Sequence, residues 1–148
     1  MIFRTFMPEA LAEARAAAAE GEVPVGAVVV AGDAVIASGR NRTLTDRDPT
    51  AHAEIVALRA AARRFGTERL GGCDLWVTLE PCPMCAGAIS LARLRRVYYG
   101  AADPKGGAVE SGVRLFASPT CHHVPEVYSG IAAGEAGDLL KAFFRDRR

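Results

Sequence analysis

Residues 23–30 read VPVGAVVV, a run that is β-branched and apolar on both faces. A strand of this kind has no side to turn to water, so it predicts a buried, central place in a sheet. The rest of the chain supplies the neighbours and covers. Leu11, Ala14 and Ala18 recur at helical spacing within 8–20, and Gly21 stops the pattern. Gly32-Asp33 offers a tight turn into AVIASG at 34–39, a hairpin partner. Residues 41–50 are polar, contain Pro49 and read as loop. After them Ile55, Leu58, Ala62 and Phe65 form a stripe that asks for a helix, with His52 three residues ahead on the same inward face.

Further on, LWVTL at 75–79, a helical stretch at 82–94 and VYYG at 97–100 alternate as a β-α-β unit with a parallel strand pair. A Gly-rich loop follows at 101–112, then a short strand at 124–128. The last helix, 135–147, sets Leu139, Leu140, Phe143 and Phe144 on one face. The sum is an α/β chain: a three-layer α/β/α sandwich around a mixed sheet of about five strands. No repeat or linker interrupts it, and 148 residues suffice for one core, so 1–148 reads as a single domain.

Composition excludes several classes. With 50% hydrophobic and 24% charged residues the chain is neither disordered nor built as a membrane protein, and a net charge of +1 provides no global field toward nucleic acid. Its most apolar stretch, 25–31, is far shorter than the roughly 20 residues that span a bilayer. Glu9, Glu13 and Arg15 break up the N-terminal segment where a signal peptide is uninterrupted, which predicts a cytoplasmic location. Four cysteines there read as metal ligands or buried thiols rather than a disulfide framework.

The chemistry lies in two short motifs, His52-Ala53-Glu54 and Pro81-Cys82-Pro83-Met84-Cys85, each at the start of a helix. Cys82 and Cys85 are three apart, so their thiols face the same way, and Pro83 suits the first helical position. The helix N-terminus favours thiolate over thiol. By itself, a C-x-x-C pair fits a redox site or half of a structural zinc site as well. With His52 it makes two sulfurs and one nitrogen without a fourth protein ligand, the pattern of a catalytic Zn²⁺ whose open position takes water. Glu54 lies about 200° round the helix from His52, so it is not a fourth ligand, but it can reach that water if the metal lies off the helix end. There it would act as acid and base. The joint H-x-E and P-C-x-x-C signature is that of the zinc deaminases.

The resemblance extends beyond these motifs. VPVGAVVV, GRNRTLTDRDPTAHAEIVALRAA, LWVTLEPCPMCAGAISLARLRRVYYGAADPKGGAVESG and the final LLKAFFRDRR together resemble the bacterial tRNA-specific adenosine deaminases of the cytidine deaminase-like superfamily, over nearly the whole chain. That resemblance implies zinc on His52, Cys82 and Cys85, proton transfer by Glu54, and a base held by Asn41. It implies a pocket shaped by Val23, Pro24 and Leu79, and contacts from Asp103 and Lys105 to the flanking ribose and phosphates. The implied reaction is attack of hydroxide at C6 of adenine, giving inosine at the wobble position of a tRNA anticodon, in a homodimer whose partner completes the RNA site. Ala142 departs from the family, some of whose members carry an acidic residue there.

Local charge also bears on RNA. Residues 141–148 carry a net +3 against +1 for the whole chain, which makes Arg145, Arg147 and Arg148 candidate phosphate contacts. Arg93, Arg95 and Arg96 form another basic cluster, in a place where a helix end also favours cations. Two other functions fit the same motifs. One is deamination of a free base or nucleoside such as guanine or cytosine. The other is a non-catalytic zinc module with its fourth ligand from Cys121, His122 or His123.

Overall fold

The structure is a computed structural model that describes residues 4–147. Along the chain run α1 (Met7–Ala19), β1 (Gly26–Ala31), β2 (Ala34–Arg40), α2 (Ala53–Phe65), β3 (Cys73–Leu79), α3 (Pro83–Ala92), β4 (Arg96–Ala101), a 3-10 turn (Leu115–Ala117), β5 (Glu126–Tyr128) and α4 (Ala133–Arg145). The five strands make one mixed sheet in the order β2-β1-β3-β4-β5. β1 runs antiparallel to β2 and β3, whereas β3, β4 and β5 run parallel. No helix among the described residues is long and apolar enough to cross a membrane.

Alternation along the inner strands divides the core in two. Ala27, Val29, Leu75, Val77, Val97 and Tyr99 face α2 and α3. Val28, Val30, Trp76 and Tyr98 face α1 and α4, where Trp76 and Tyr98 stack with ring centres 3.9 Å apart. The result is the three-layer α/β/α architecture, with β1 buried on both faces as its composition requires.

The strand begins later than its apolar run. Pro24 has no N–H to give to a ladder, and the Val25 N–H turns back to the Val23 carbonyl at 2.8 Å, so pairing starts only at Gly26. Residues 23 and 24 are thereby freed from the ladder, whereas the Val25 carbonyl still accepts the Asn41 N–H at 3.1 Å. Because β1 is antiparallel to β3, residues 23–25 emerge beside the C-terminal end of β3, at Leu79.

Two glycines set how closely helices lie on the sheet. A Cβ on Gly26 would stand 2.0 Å from the Ala10 carbonyl oxygen of α1, and one on Gly39 would stand 2.6 Å from both the Ala53 carbonyl oxygen and the Ala57 nitrogen of α2. This close approach explains where the expected stripe on α2 departs from the structure. Against a bare backbone only small side chains fit, so the inward face runs through Ala53, Ala57 and Ala61 with Leu58, while Phe65 is 47% exposed in the last turn before Gly66. On α4, similarly, Ala136 and Phe143 are buried and Phe144 is 52% exposed.

Candidate active site

Both expected motifs lie at helix starts, but their first residues stand just outside the helices. His52 is the N-cap of α2 and Cys82 the N-cap of α3, both with extended backbone, and Pro83 opens α3. The helical angle between His52 and Glu54 therefore does not apply. His52 turns away from α2 toward α3, while Glu54 sits buried in the first turn of α2. Cys85, also buried, lies one turn into α3 on the side of Cys82.

The His52 Nδ1 atom stands 3.5 Å from the Cys82 Sγ and 3.5 Å from the Cys85 Sγ. The three ligand atoms all lie within 4.8 Å of one another, and no other such cluster of metal-ligand side chains occurs among the described residues. Tetrahedral zinc, with bonds of about 2.3 Å to sulfur and 2.0 Å to nitrogen, separates those atoms by about 3.6 Å. The donor set and its spacing thus fit zinc.

Cys121, His122 and His123 are not part of this group. The Cys121 Sγ lies 3.4 Å from the Ser90 Oγ, and the His123 Nε2 lies 2.7 Å from the Leu94 carbonyl oxygen, toward the opposite end of α3. The cluster holds its loop to α3 and supplies no fourth ligand.

Electrostatics at the triad follow from burial and mutual hydrogen bonding. A hydrogen bond from Cys85 holds the Cys82 thiol down to about 4, with His52 adding to it against the effect of burial. The hydrogen bond with Cys82 and burial push Cys85 far up. His52 is raised by its hydrogen bond with Cys82. Burial pushes Glu54 up to about 7, against the pull of its own backbone N–H and of His52.

A cavity of about 420 Å³ opens onto these groups, within the usual range of small-ligand sites. Val23, Val25 and Leu79 form its apolar wall, with Asn41, Thr43, His52, Glu54, Glu80 and Cys82 as polar groups. Asn41 is buried, and its Oδ1 accepts from the Thr43 N–H at 3.3 Å. Asp103 and Gly106 border the opening from the loop after β4.

Not every residue named from the sequence lines this cavity. Pro24 is buried and outside the lining, where Val25 joins Val23, and Lys105 is exposed with Gly106 on the rim in its place. Arg145 pairs with Asp146, and the Arg147 guanidinium lies 3.6 Å from the centre of the Phe143 ring. Both belong to the C-terminal end of α4 rather than to the cavity lining, and Arg148 lies outside the described residues.

Sequence reasoning missed Glu22 and Glu80. Both are buried carboxylates, at 1% and 2% exposure, and each is adjacent in the chain to a wall residue, Val23 or Leu79. An acidic residue touching an apolar strand end was the available signal, since buried carboxylates are rare unless partnered.

Comparison with known proteins agrees with this geometry. The model of the cytidine and deoxycytidylate deaminase zinc-binding region matches residues 3–101. A tRNA-specific adenosine deaminase of Agrobacterium fabrum is 61% identical over 143 residues, covering 97% of this chain and 94% of the relative. A solved structure from work on A-to-I editing by tRNA:A34 deaminases at the wobble position superposes with a TM-score of 0.90 at 61% identity, covering 91% of this chain and 98% of that one. A guanine deaminase of Bacillus subtilis aligns with a TM-score of 0.65 at 44% identity, covering 69% of this chain and 66% of that one.

Proposed function

We propose that this chain, which belongs to the cytidine and deoxycytidylate deaminase zinc-binding family, deaminates adenosine to inosine at the wobble position of a tRNA anticodon. The observation that carries this reading is the meeting of the His52, Cys82 and Cys85 triad with Glu54 at one cavity, in a chain 61% identical to a tRNA-specific adenosine deaminase over nearly its whole length.

His52, Cys82 and Cys85 would hold zinc, which when bound would supply a Lewis acid for activating water at neutral pH. Glu54 carries the protons. Its carboxylate accepts one as water adds to C6 of adenine and returns it to the exocyclic nitrogen, so that adenosine and water give inosine and ammonia. Val23 and Leu79 flank the base, with Pro24 buried next to Val23 in the chain, and the Asn41 amide hydrogen-bonds its edge. Asp103 and Lys105 meet the flanking ribose and phosphates, while Arg145, Arg147 and Arg148 provide the salt-sensitive contacts to the stem.

In this reading residues 1–148 form one deaminase domain, working in the cytoplasm as a homodimer. Exposed Leu91 and Val113, which border an apolar groove beside α3, support the pairing. A second reading, deamination of a free base, is favoured by the likeness to guanine deaminase.

One experiment separates the two. The zinc-loaded protein is incubated with an anticodon stem-loop carrying A at the wobble position and, separately, with adenosine, guanine and cytidine. Inosine in the RNA with no ammonia from the small molecules is expected. Ammonia from a small molecule alone overturns the tRNA assignment.

A further inference from the structure

The loops on either side of the cavity mouth each hang on one buried carboxylate. Glu80, directly after Leu79, receives the Asp103 N–H and the Ser111 hydroxyl on Oε1, both at 2.9 Å. Its Oε2 receives the N–H groups of Val109, Glu110 and Ser111 at 3.1, 2.9 and 2.9 Å. Glu22, directly before Val23, receives the Leu44 N–H on Oε1 at 3.3 Å, and the N–H and hydroxyl of Thr45 on Oε2, both at 2.7 Å. Neither carboxylate forms an ion pair among the described residues. Their charge is met by donors of the loops themselves.

Such an arrangement needs a carboxylate. Each oxygen accepts from a loop donor, and a carboxamide would turn an NH₂ group toward an N–H. Steric evidence agrees at Glu80, since a Cβ on Gly107 would stand 2.5 Å from its carboxyl carbon. The loop passes this close only because that residue is glycine.

The loops so held contribute Asn41 and Thr43 on one side of the cavity, and Asp103 and Gly106 on the other. We infer that Glu22 and Glu80 are positioning residues that fix the two lips of the cavity against its Val23 and Leu79 wall, and so set the opening through which the substrate nucleotide and its neighbours enter. Glu80 also stands two residues before Cys82, which refers its lip to the metal ligands. The role assigned to the opening rests on the function proposed above. The straps themselves do not.

The test pairs hydrogen exchange with kinetics on the zinc-loaded protein. Glu80→Gln keeps an oxygen for residues 109–111 but presents NH₂ to the Asp103 amide. Glu22→Gln does the same at Leu44. Ser111→Ala and Thr45→Val, at half-buried and exposed positions, remove single hydroxyl donors without touching either carboxylate. Exchange without RNA is expected to speed up at Asp103 in Glu80→Gln and at Leu44 in Glu22→Gln, with zinc content unchanged. With the anticodon stem-loop, KM is expected to rise on the order of tenfold in the Glu variants and less in the hydroxyl variants, with kcat within about twofold.

Loss of folded enzyme would instead lower kcat and leave KM alone. That result, or unchanged exchange at both loops, overturns the proposal. If the wild-type protein makes no inosine, the tRNA reading fails, and the exchange measurement still decides whether the carboxylates strap the loops.

Discussion

The His52 Nδ1 and Cys82 Sγ atoms, thirty residues apart in the chain, stand 3.5 Å from each other because each residue is the N-cap of its own helix. Two helix N-termini converge there, and their exposed N–H groups favour the thiolates that bind metal. Ligand geometry is therefore a property of how α2 and α3 start and of their lying on the same face of the sheet.

Removing a ligand should remove the metal. Cys85→Ser and His52→Ala are expected to lose stoichiometric zinc. Chelation of the wild type should lower its thermal midpoint by roughly 5–10 °C relative to zinc present at about 100 times its Kd. Metal analysis and thermal scans with and without chelator check this, and an unchanged midpoint would remove the triad from the stability of the fold.

Glu54→Gln should keep zinc and the fold while kcat falls by about 10²–10⁴, the usual worth of a general acid and base. Turnover close to wild type would assign the proton transfers elsewhere.

Helix–sheet proximity makes a steric prediction. Gly39→Ala places a methyl 2.6 Å from two backbone atoms of α2 and is expected to cost about 1–3 kcal/mol in urea unfolding. In contrast, Gly137→Ala in α4, where a Cβ meets nothing within 4 Å, should be neutral or stabilising by up to about 1 kcal/mol.

Glu22 makes a prediction about acid. Burial alone would push its carboxyl up, but the Thr45 hydroxyl and amide, the Leu44 amide and the field of Arg42 outweigh burial, and its net shift is downward. A folded value below the unfolded one means that stability from this group is fully present above the unfolded range, about pH 4.3, and is lost as pH falls through the folded value. Stability curves of wild type and Glu22→Gln should therefore differ at pH 7 and draw together as pH falls below the unfolded range and through the lower folded value, as read from urea midpoints. A constant difference at every pH would contradict the ionised strap.

Salt dependence tests the basic end. Arg145→Ala and Arg147→Ala should each weaken stem-loop binding and lower the slope of log affinity against log salt by about 1. An unchanged slope would leave these residues as a solvated terminus, held only by the Asp146 and Phe143 contacts of Arg145 and Arg147.

Much of the frame was legible in the chain. A doubly apolar central strand, shortened to Gly26–Ala31, the hairpin turn at Gly32-Asp33 and the strand-helix-strand alternation from 75 to 100 all appear in the structure, because each depends on patterns within a few residues. Legibility failed where distant backbone decided. Pro24 kept residues 23 and 24 out of the ladder, and Gly39 drew α2 so close to β2 that its inward face became alanine and Phe65 was left outside.

The same division runs through the site. His52, Glu54, Cys82 and Cys85 could be named from the chain because metal ligation and proton transfer demand particular residue types at short spacing, next to particular helix starts. For Glu22 and Glu80 the chain offered only an acidic residue next to an apolar strand end, since their partners lie 22 to 31 residues away and are mostly backbone N–H groups, which every residue except proline offers alike. The sequence by itself determined which side chains are offered to a metal ion and which carboxyl group is set beside them. Only the tertiary structure decided how the mouth above them is held, because that depends on which loop the chain brings within hydrogen-bond reach of two buried carboxylates.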